Sequence, residues 1–196
     1  MAPLVVVSGP SGVGKTTVVE QLLRFTDLPL RRAITATTRA PRPGEQPEID
    51  YHFWSRERFE EEIAADRVLE YATVFGTDLY GTPRSEVEPH RAAGTGVILV
   101  IDVQGAARVR ELCGRDCLTV FVTPPDFAEL ETRLRGRGDV TEDRVARRLA
   151  TAREELARSS EFDFVIVNAD LGRAVRELDG LIRGRFTPGG KACTTN

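Results

Sequence analysis

With 196 residues, 41% hydrophobic and 29% charged, the chain has the size of one compact domain with room for small insertions. A formal net charge of −3 excludes wholesale wrapping of nucleic acid, so any anion site has to be local. No apolar run approaches the length of a membrane-spanning helix, and Cys113, Cys117 and Cys193, with no secretory signal, predict a reduced, cytoplasmic protein.

Four short, continuous, β-branched runs stand out in chain order: Leu4–Val7, Val97–Ile101, Leu118–Val122 and Phe164–Val167. Continuous rather than alternating hydrophobicity predicts strands buried on both faces of a parallel sheet. Each is followed by a helical stretch: Lys15 to Phe25, Gln104 to Leu112, Asp126 to Arg135 and Leu171 to Arg183. Asp126 reads as an N-cap, with Glu129 three residues on. Such alternation predicts a doubly wound α/β core.

Two segments interrupt it. Residues 32–93 are rich in turns, with strands expected at Tyr51–Trp54 and Val68–Val74 and a helix at Glu57–Ala65 capped by Ser55. Residues 135–158 open on "RGRGDVTEDR" and continue as a long polar helix. Both read as insertions on a core of residues 1–31, 94–134 and 159–186, able to move against it, with residues 187–196 as a flexible tail. Neither His52 nor His90 follows Cys113 and Cys117 at ligand spacing, so these thiols read as small buried or half-buried side chains.

"GPSGVGKTT", Gly9 to Thr17, fits G-x-x-x-x-G-K-S/T directly after the first apolar run and opens a helix, which is the context a phosphate loop requires. Gly9, Gly12 and Gly14 let the backbone curl so that N–H groups point inward at phosphate oxygens, with Pro10, Ser11 and Val13 between them. Lys15 places a point charge on the phosphates, and the Thr16 hydroxyl suits Mg²⁺. The following helix, through Thr16 and Thr17, adds the partial positive charge of its N-terminus. Of 27 basic residues only Lys15 and Lys191 are lysine, so the body of the chain spends its one lysine here.

"TATTRAPRPGE", Thr35 to Glu45, looks too polar and broken to be a core element. Pro41 and Pro43 stiffen it, with Arg39 and Arg42 three residues apart. Arginine forks suit a phosphate acceptor. Spacing alone leaves the loop open between an anion site and a solvated basic turn.

With "SGPSGVGKTT", "TATTRAPRPGE", "DYHF", "EYATVFGTDLYGT", "IDVQGA", "RLRGRG" and "VIVNADL" in that order, the chain resembles the bacterial guanylate kinases, ATP:GMP phosphotransferases, from Leu4 to about Ile182. The resemblance implies a P-loop nucleoside-monophosphate kinase fold: a mainly parallel sheet flanked by helices, with an inserted GMP-binding region at 32–93 and a lid at 135–158. It implies Arg39, Arg42, Tyr51 and Tyr80 on the GMP phosphate, Glu70 and Thr35 on the guanine, and Thr82 and Asp102 at further acceptor positions on the phosphate and base sides. Thr82 also precedes Pro83 and reads equally as a helix cap. On the donor side it implies ATP on Gly9–Thr17 and Asn168, and Arg135, Arg137 and Arg148 as lid arginines acting with Lys15 on the transferring phosphate. Mg²⁺ would accompany ATP; ATP and GMP are the partners expected, with neither nucleic acid nor membrane, and the oligomeric state is open.

The chain departs from the family at Val100, two residues before Asp102, where many members are acidic. Three other functions compete with the kinase: a non-catalytic scaffold module, a ribose-bisphosphate kinase and a GTPase switch. They are disfavoured by the intact phosphate loop, by the base-reading set Thr35, Glu70 and Asp102, and by the lack of an Asn-Lys-x-Asp motif.

Overall fold

The computed structural model describes residues 1–74, 77–136 and 142–186. In chain order the elements are β1 (Leu4–Ser8), α1 (Lys15–Phe25), β2 (Leu30–Arg32), β3 (Ala36–Thr37), β4 (His52–Phe53), α2 (Arg56–Ala64), β5 (Val68–Val74) and β6 (Asp78–Pro83). There follow α3 (Glu88–Ala92), β7 (Gly96–Val100), α4 (Val103–Cys113), β8 (Cys117–Thr123), α5 (Phe127–Arg135), α6 (Glu142–Ala157), β9 (Phe164–Val167) and α7 (Leu171–Phe186).

Five strands form a parallel sheet in the order β2-β7-β1-β8-β9. The pleat sends alternate residues of β1 to opposite faces. Val5 and Val7 join one core with α1 (Val18, Val19, Leu22) and α7 (Leu178, Ile182). Leu4 and Val6 join the other with α4 (Val103, Ala106, Val109) and Leu69. Both faces being covered is why these runs carry no polar alternation. The fourth run departs from that expectation. As the edge strand, β9 buries only Ile166, leaving Phe164, Val165 and Val167 more than two-fifths exposed.

The polar segment between β2 and α3 builds a second, four-stranded sheet, β4-β3-β6-β5. Sequence pattern does not mark β2, β3 or β6, which are short or Gly/Thr-containing. The opening of "TATTRAPRPGE" is a correction to its polar appearance: Thr35, Ala36 and Thr37 are buried, in or beside β3. Ala36 packs with Trp54, Phe59, Val68 and Leu79 in a small core of its own. The expected caps form, since Ser55 Oγ accepts from Arg58 N (3.2 Å) and Asp126 Oδ1 from Glu129 N (2.7 Å). Glu129 turns instead to Arg133 at 2.5 Å. Cys117 is buried and Cys113 half-buried, both free thiols. No described helix is long and apolar enough to cross a membrane. Arg137 and residues 187–196 lie outside the described residues.

The connection through α1 covers one face of the sheet, and that through α4 covers the other. Between them, the carboxyl ends of β1 and β7 open the crevice where ligands enter doubly wound sheets.

Candidate active site

Gly9, Gly12 and Gly14 all have positive φ (137°, 89° and 96°), so the loop after β1 curls back on itself. A Cβ at Gly9 would stand 2.1 Å from Val122 O, so the turn needs glycine for space as well as torsion. Lys15 Nζ donates to Gly9 O (2.5 Å) and Pro10 O (3.1 Å), folding the ammonium over its own loop. From beneath, Asn168 Nδ2 donates to Val13 O at 2.8 Å and Arg133 Nη1 to the same oxygen at 3.2 Å. Asn168 is thus buried as a prop of the loop, and its side chain does not face the crevice.

Across the crevice, register does the positioning. In the β5–β6 hairpin Glu70 lies opposite Thr82, and the Thr82 hydroxyl donates to Glu70 Oε1 at 2.7 Å. Thr82 is fully buried against Glu70, and its side chain caps no helix. Burial pushes the Glu70 carboxyl up to about 7; the Thr82 hydrogen bond opposes the rise and the Asp102 charge adds to it. Asp102 lies two residues beyond β7 and caps α4, its Oδ1 accepting from Gln104 N (2.8 Å) and Gly105 N (2.9 Å).

A Cβ at Gly105 would sit 2.7 Å from Glu70 Oε2. Glycine there lets α4 close against the carboxylate, a role that sequence pattern does not reveal. Gly105→Ala is expected to displace Glu70 and cost about 1–3 kcal/mol of acceptor recognition, read as a KM rise for the acceptor alone.

The two loop arginines part ways. Arg39 donates through both Nη1 and Nη2 to the Glu45 carboxylate (2.9 Å each), through Nη1 to Ala40 O (2.7 Å) and through Nε to Tyr80 Oη (3.0 Å). Its guanidinium also lies over the Tyr51 ring, 5.4 Å from the centroid. Burial disfavours charge on both Arg39 and Glu45, but their mutual hydrogen bonds prevail, keeping the arginine protonated and the glutamate below the usual carboxylate range. Glu45 Oε2 further accepts from Arg42 N at 2.7 Å. Arg42 itself is exposed and reaches the crevice.

Because Arg39 fills an acceptor site on the Tyr80 oxygen, the phenolic proton is left to donate toward the crevice. Glu45 is therefore a supporting residue that only the fold reveals. Glu45→Gln should slacken Arg39 and Tyr80 together and raise the acceptor KM roughly tenfold, with little change for the donor.

One cavity of about 270 Å³ joins the two halves. Ser11, Gly12, Gly14, Lys15, Thr16 and Thr17 line one side; Thr35, Arg42, Tyr51, Glu70 and Tyr80 line the other, with Asp102 and Val100 at the floor. Of the expected residues, Gly9, Pro10 and Val13 of the loop, and Arg39, Thr82, Arg135, Arg148 and Asn168, do not line it. Arg135 is exposed and bound to Glu131 and Glu142, Arg148 is half-buried on α6, and Arg39 is bound to Tyr80 and Glu45. The cavity does hold Glu155 of α6, a residue not anticipated from sequence.

The family model described as guanylate kinase matches residues 1–185. Guanylate kinase of Synechococcus sp. (strain CC9902) is 49% identical over 177 residues, covering 90% of this chain and 92% of that protein. Guanylate kinase of Rubrobacter xylanophilus is 47% identical over 190 residues, covering 97% of each. Among solved structures, guanylate kinase from Anaplasma phagocytophilum superposes with a TM-score of 0.80 at 30% identity, covering 98% of this chain and 88% of that one.

Proposed function

Because this chain belongs to the guanylate kinase family, its reaction is the ATP-dependent phosphorylation of GMP to GDP, and we propose how the residues of the cavity divide that work. The observation that carries the assignment is the single cavity lined on one side by the phosphate loop and on the other by Glu70, Arg42 and two tyrosines.

The loop N–H groups and Lys15 hold the ATP phosphates, with the ammonium leaving the Gly9 and Pro10 carbonyls to do so. Arg42, Tyr51 and Tyr80 take the GMP phosphate, with Arg39 keeping Tyr80 turned outward. Ionised Glu70 accepts from the guanine N1–H and exocyclic amine, and the Thr35 hydroxyl donates to O6. A GMP phosphate oxygen attacks the γ-phosphorus in line; the bond to the β,γ-bridging oxygen breaks, and the electron pair leaves with ADP. The nucleophile is already anionic, so no side chain has to remove a proton. Positioning and charge neutralisation carry the rate.

The donor set fits Mg²⁺. Thr16 offers an exposed hydroxyl and Asp102 a carboxylate in the same cavity, hard oxygen ligands that would complete a sphere made mostly of phosphate oxygens and water. When bound, the ion supplies charge neutralisation on the ATP phosphates.

In this reading residues 32–93 form the GMP-binding insertion on a core of 1–31, 94–134 and 159–186. Residues 135–158 form a lid that delivers Arg135, Arg137 and Arg148 on closure, and Asn168 serves ATP by propping the loop. The free thiols of Cys113 and Cys117 accord with a cytoplasmic location. The test is ADP release from ATP–Mg²⁺ with GMP, AMP, UMP, dTMP or ribose 1,5-bisphosphate as acceptor. GMP should exceed AMP by roughly 10²-fold or more in kcat/KM. Turnover with another acceptor and none with GMP would refute the assignment.

A further inference from the structure

The segment expected to deliver arginines delivers a carboxylate. Among the described residues Glu155 is the one side chain of α6 that lines the cavity, and it does so beside Ser11, Gly12 and Lys15. The Ser11 backbone N–H and the Lys15 and Arg158 charges favour its ionised form, and the Asp102 charge disfavours it. Its Oε2 is buried without a hydrogen-bond partner. A carboxylate buried with one oxygen unsatisfied is costly. Burial raises its pKa, the Lys15 charge opposes that rise, and the neighbouring Asp102 adds to it. Among the described residues α6 meets the two cores through Val145, Leu149, Ala152 and the partly buried Leu156, whereas Glu155 lines the cavity beside the loop.

Lys15 gives the arrangement a use. Its ammonium is folded onto Gly9 O and Pro10 O, yet it has to turn toward the phosphates for transfer. An opposite charge on the cavity side draws it out of the loop, and the Ser11 contact steadies the loop's crown against α6. We propose that Glu155 is a positioning residue for phosphoryl transfer, acting through the Lys15 ammonium and the Ser11 N–H. It couples the placement of α6, and so of Arg148 two turns earlier on the same helix, to the geometry of the phosphate loop.

The proposal rests on the kinase reading of this cavity, and the experiment separates the two. If the parent protein does not convert ATP and GMP to ADP and GDP, that reading fails first. With an active parent, Glu155→Gln is measured for kcat, for ATP KM, for GMP and ADP Kd by calorimetry, and for thermal midpoint. The expected result is a fall in kcat of about 10–100-fold, with GMP Kd, ADP Kd and midpoint essentially unchanged and ATP KM moved less than about threefold. Glu155→Asp keeps the charge on a shorter arm and should recover most of the lost kcat. Should Glu155→Gln fail to fold, Glu155→Ala takes its place, and the same kcat fall without change in GMP Kd still supports the role. A kcat within twofold of the parent overturns it. So does a fall matched by loss of GMP affinity or thermal midpoint, or an Asp variant no better than Gln. Tighter ADP binding at unchanged kcat also overturns it, by making Glu155 a competitor for the phosphates.

Discussion

Glu70→Gln should leave a protein that folds better and reads guanine worse. In the folded chain the carboxyl titrates near 7, chiefly because burial penalises its charge, whereas an unfolded glutamate titrates at its ordinary value of 4.5. A raised carboxyl pKa means that the folded state holds the proton more tightly. Its contribution to stability is therefore fully present below about 4.5 and is lost as pH rises through about 7. At pH 8 the ionised, buried Glu70 destabilises the ligand-free protein, and glutamine, which can still accept from Thr82, removes that burden. The gain is on the order of 1–3 kcal/mol, or roughly 2–4 °C of thermal midpoint per kcal/mol for a chain of this size. It should be seen at pH 8 and vanish near pH 4.5.

Function runs the other way. Two guanine donors meet a carboxylate well, but the amide presents one of them with an N–H, so kcat/KM for GMP should fall about 10²-fold or more with ATP KM little changed. In the parent, KM for GMP should rise as pH falls below 7, because the acceptor site then has to lose a proton to bind. Calorimetry at pH 6 in buffers of different ionisation enthalpy should show proton release on GMP binding. Unchanged GMP turnover in the glutamine variant would remove Glu70 from base recognition.

Lys15→Met should abolish transfer while GMP binding persists. Among the described residues the ammonium is the one lysine charge in the cavity; it comes from α1 and donates to the Gly9 and Pro10 carbonyls, whereas the facing wall comes from other elements. Losing a charge that acts on the transferring group costs at least about 10²–10³-fold in kcat. GMP Kd by calorimetry should stay within a few-fold of the parent, because Arg42, Tyr51, Tyr80 and Glu70 all come from other elements. Simultaneous loss of GMP binding would mean that the loop had collapsed, and the thermal midpoint distinguishes that case.

The phosphate loop is legible in the sequence alone. A phosphate loop is made of consecutive residues whose backbone N–H groups do the binding, so its glycines and Lys15 are legible without any tertiary contact. The strands β1, β7 and β8 were equally legible, because burial on both sheet faces removes polar residues from a continuous run. The edge strand β9 kept the same composition with one face uncovered, and composition does not report a strand's place in the order.

The acceptor half became legible through the ordered motifs of a resemblance, and its geometry was decided by the tertiary structure. Glu70 and Thr82 meet because β5 and β6 pair in one register, and Gly105 matters because α4 closes on that pair. The loop that looks like a pair of equal arginines resolves into one that reaches the crevice and one bound to Glu45 and Tyr80. Glu155 lies far along the chain from Ser11, on a helix whose polar face gives no local sign that one carboxylate turns inward. Local chemistry is written in neighbouring residues. Which side chains share a cavity depends on strand order, register and helix docking, which no short window of the chain contains.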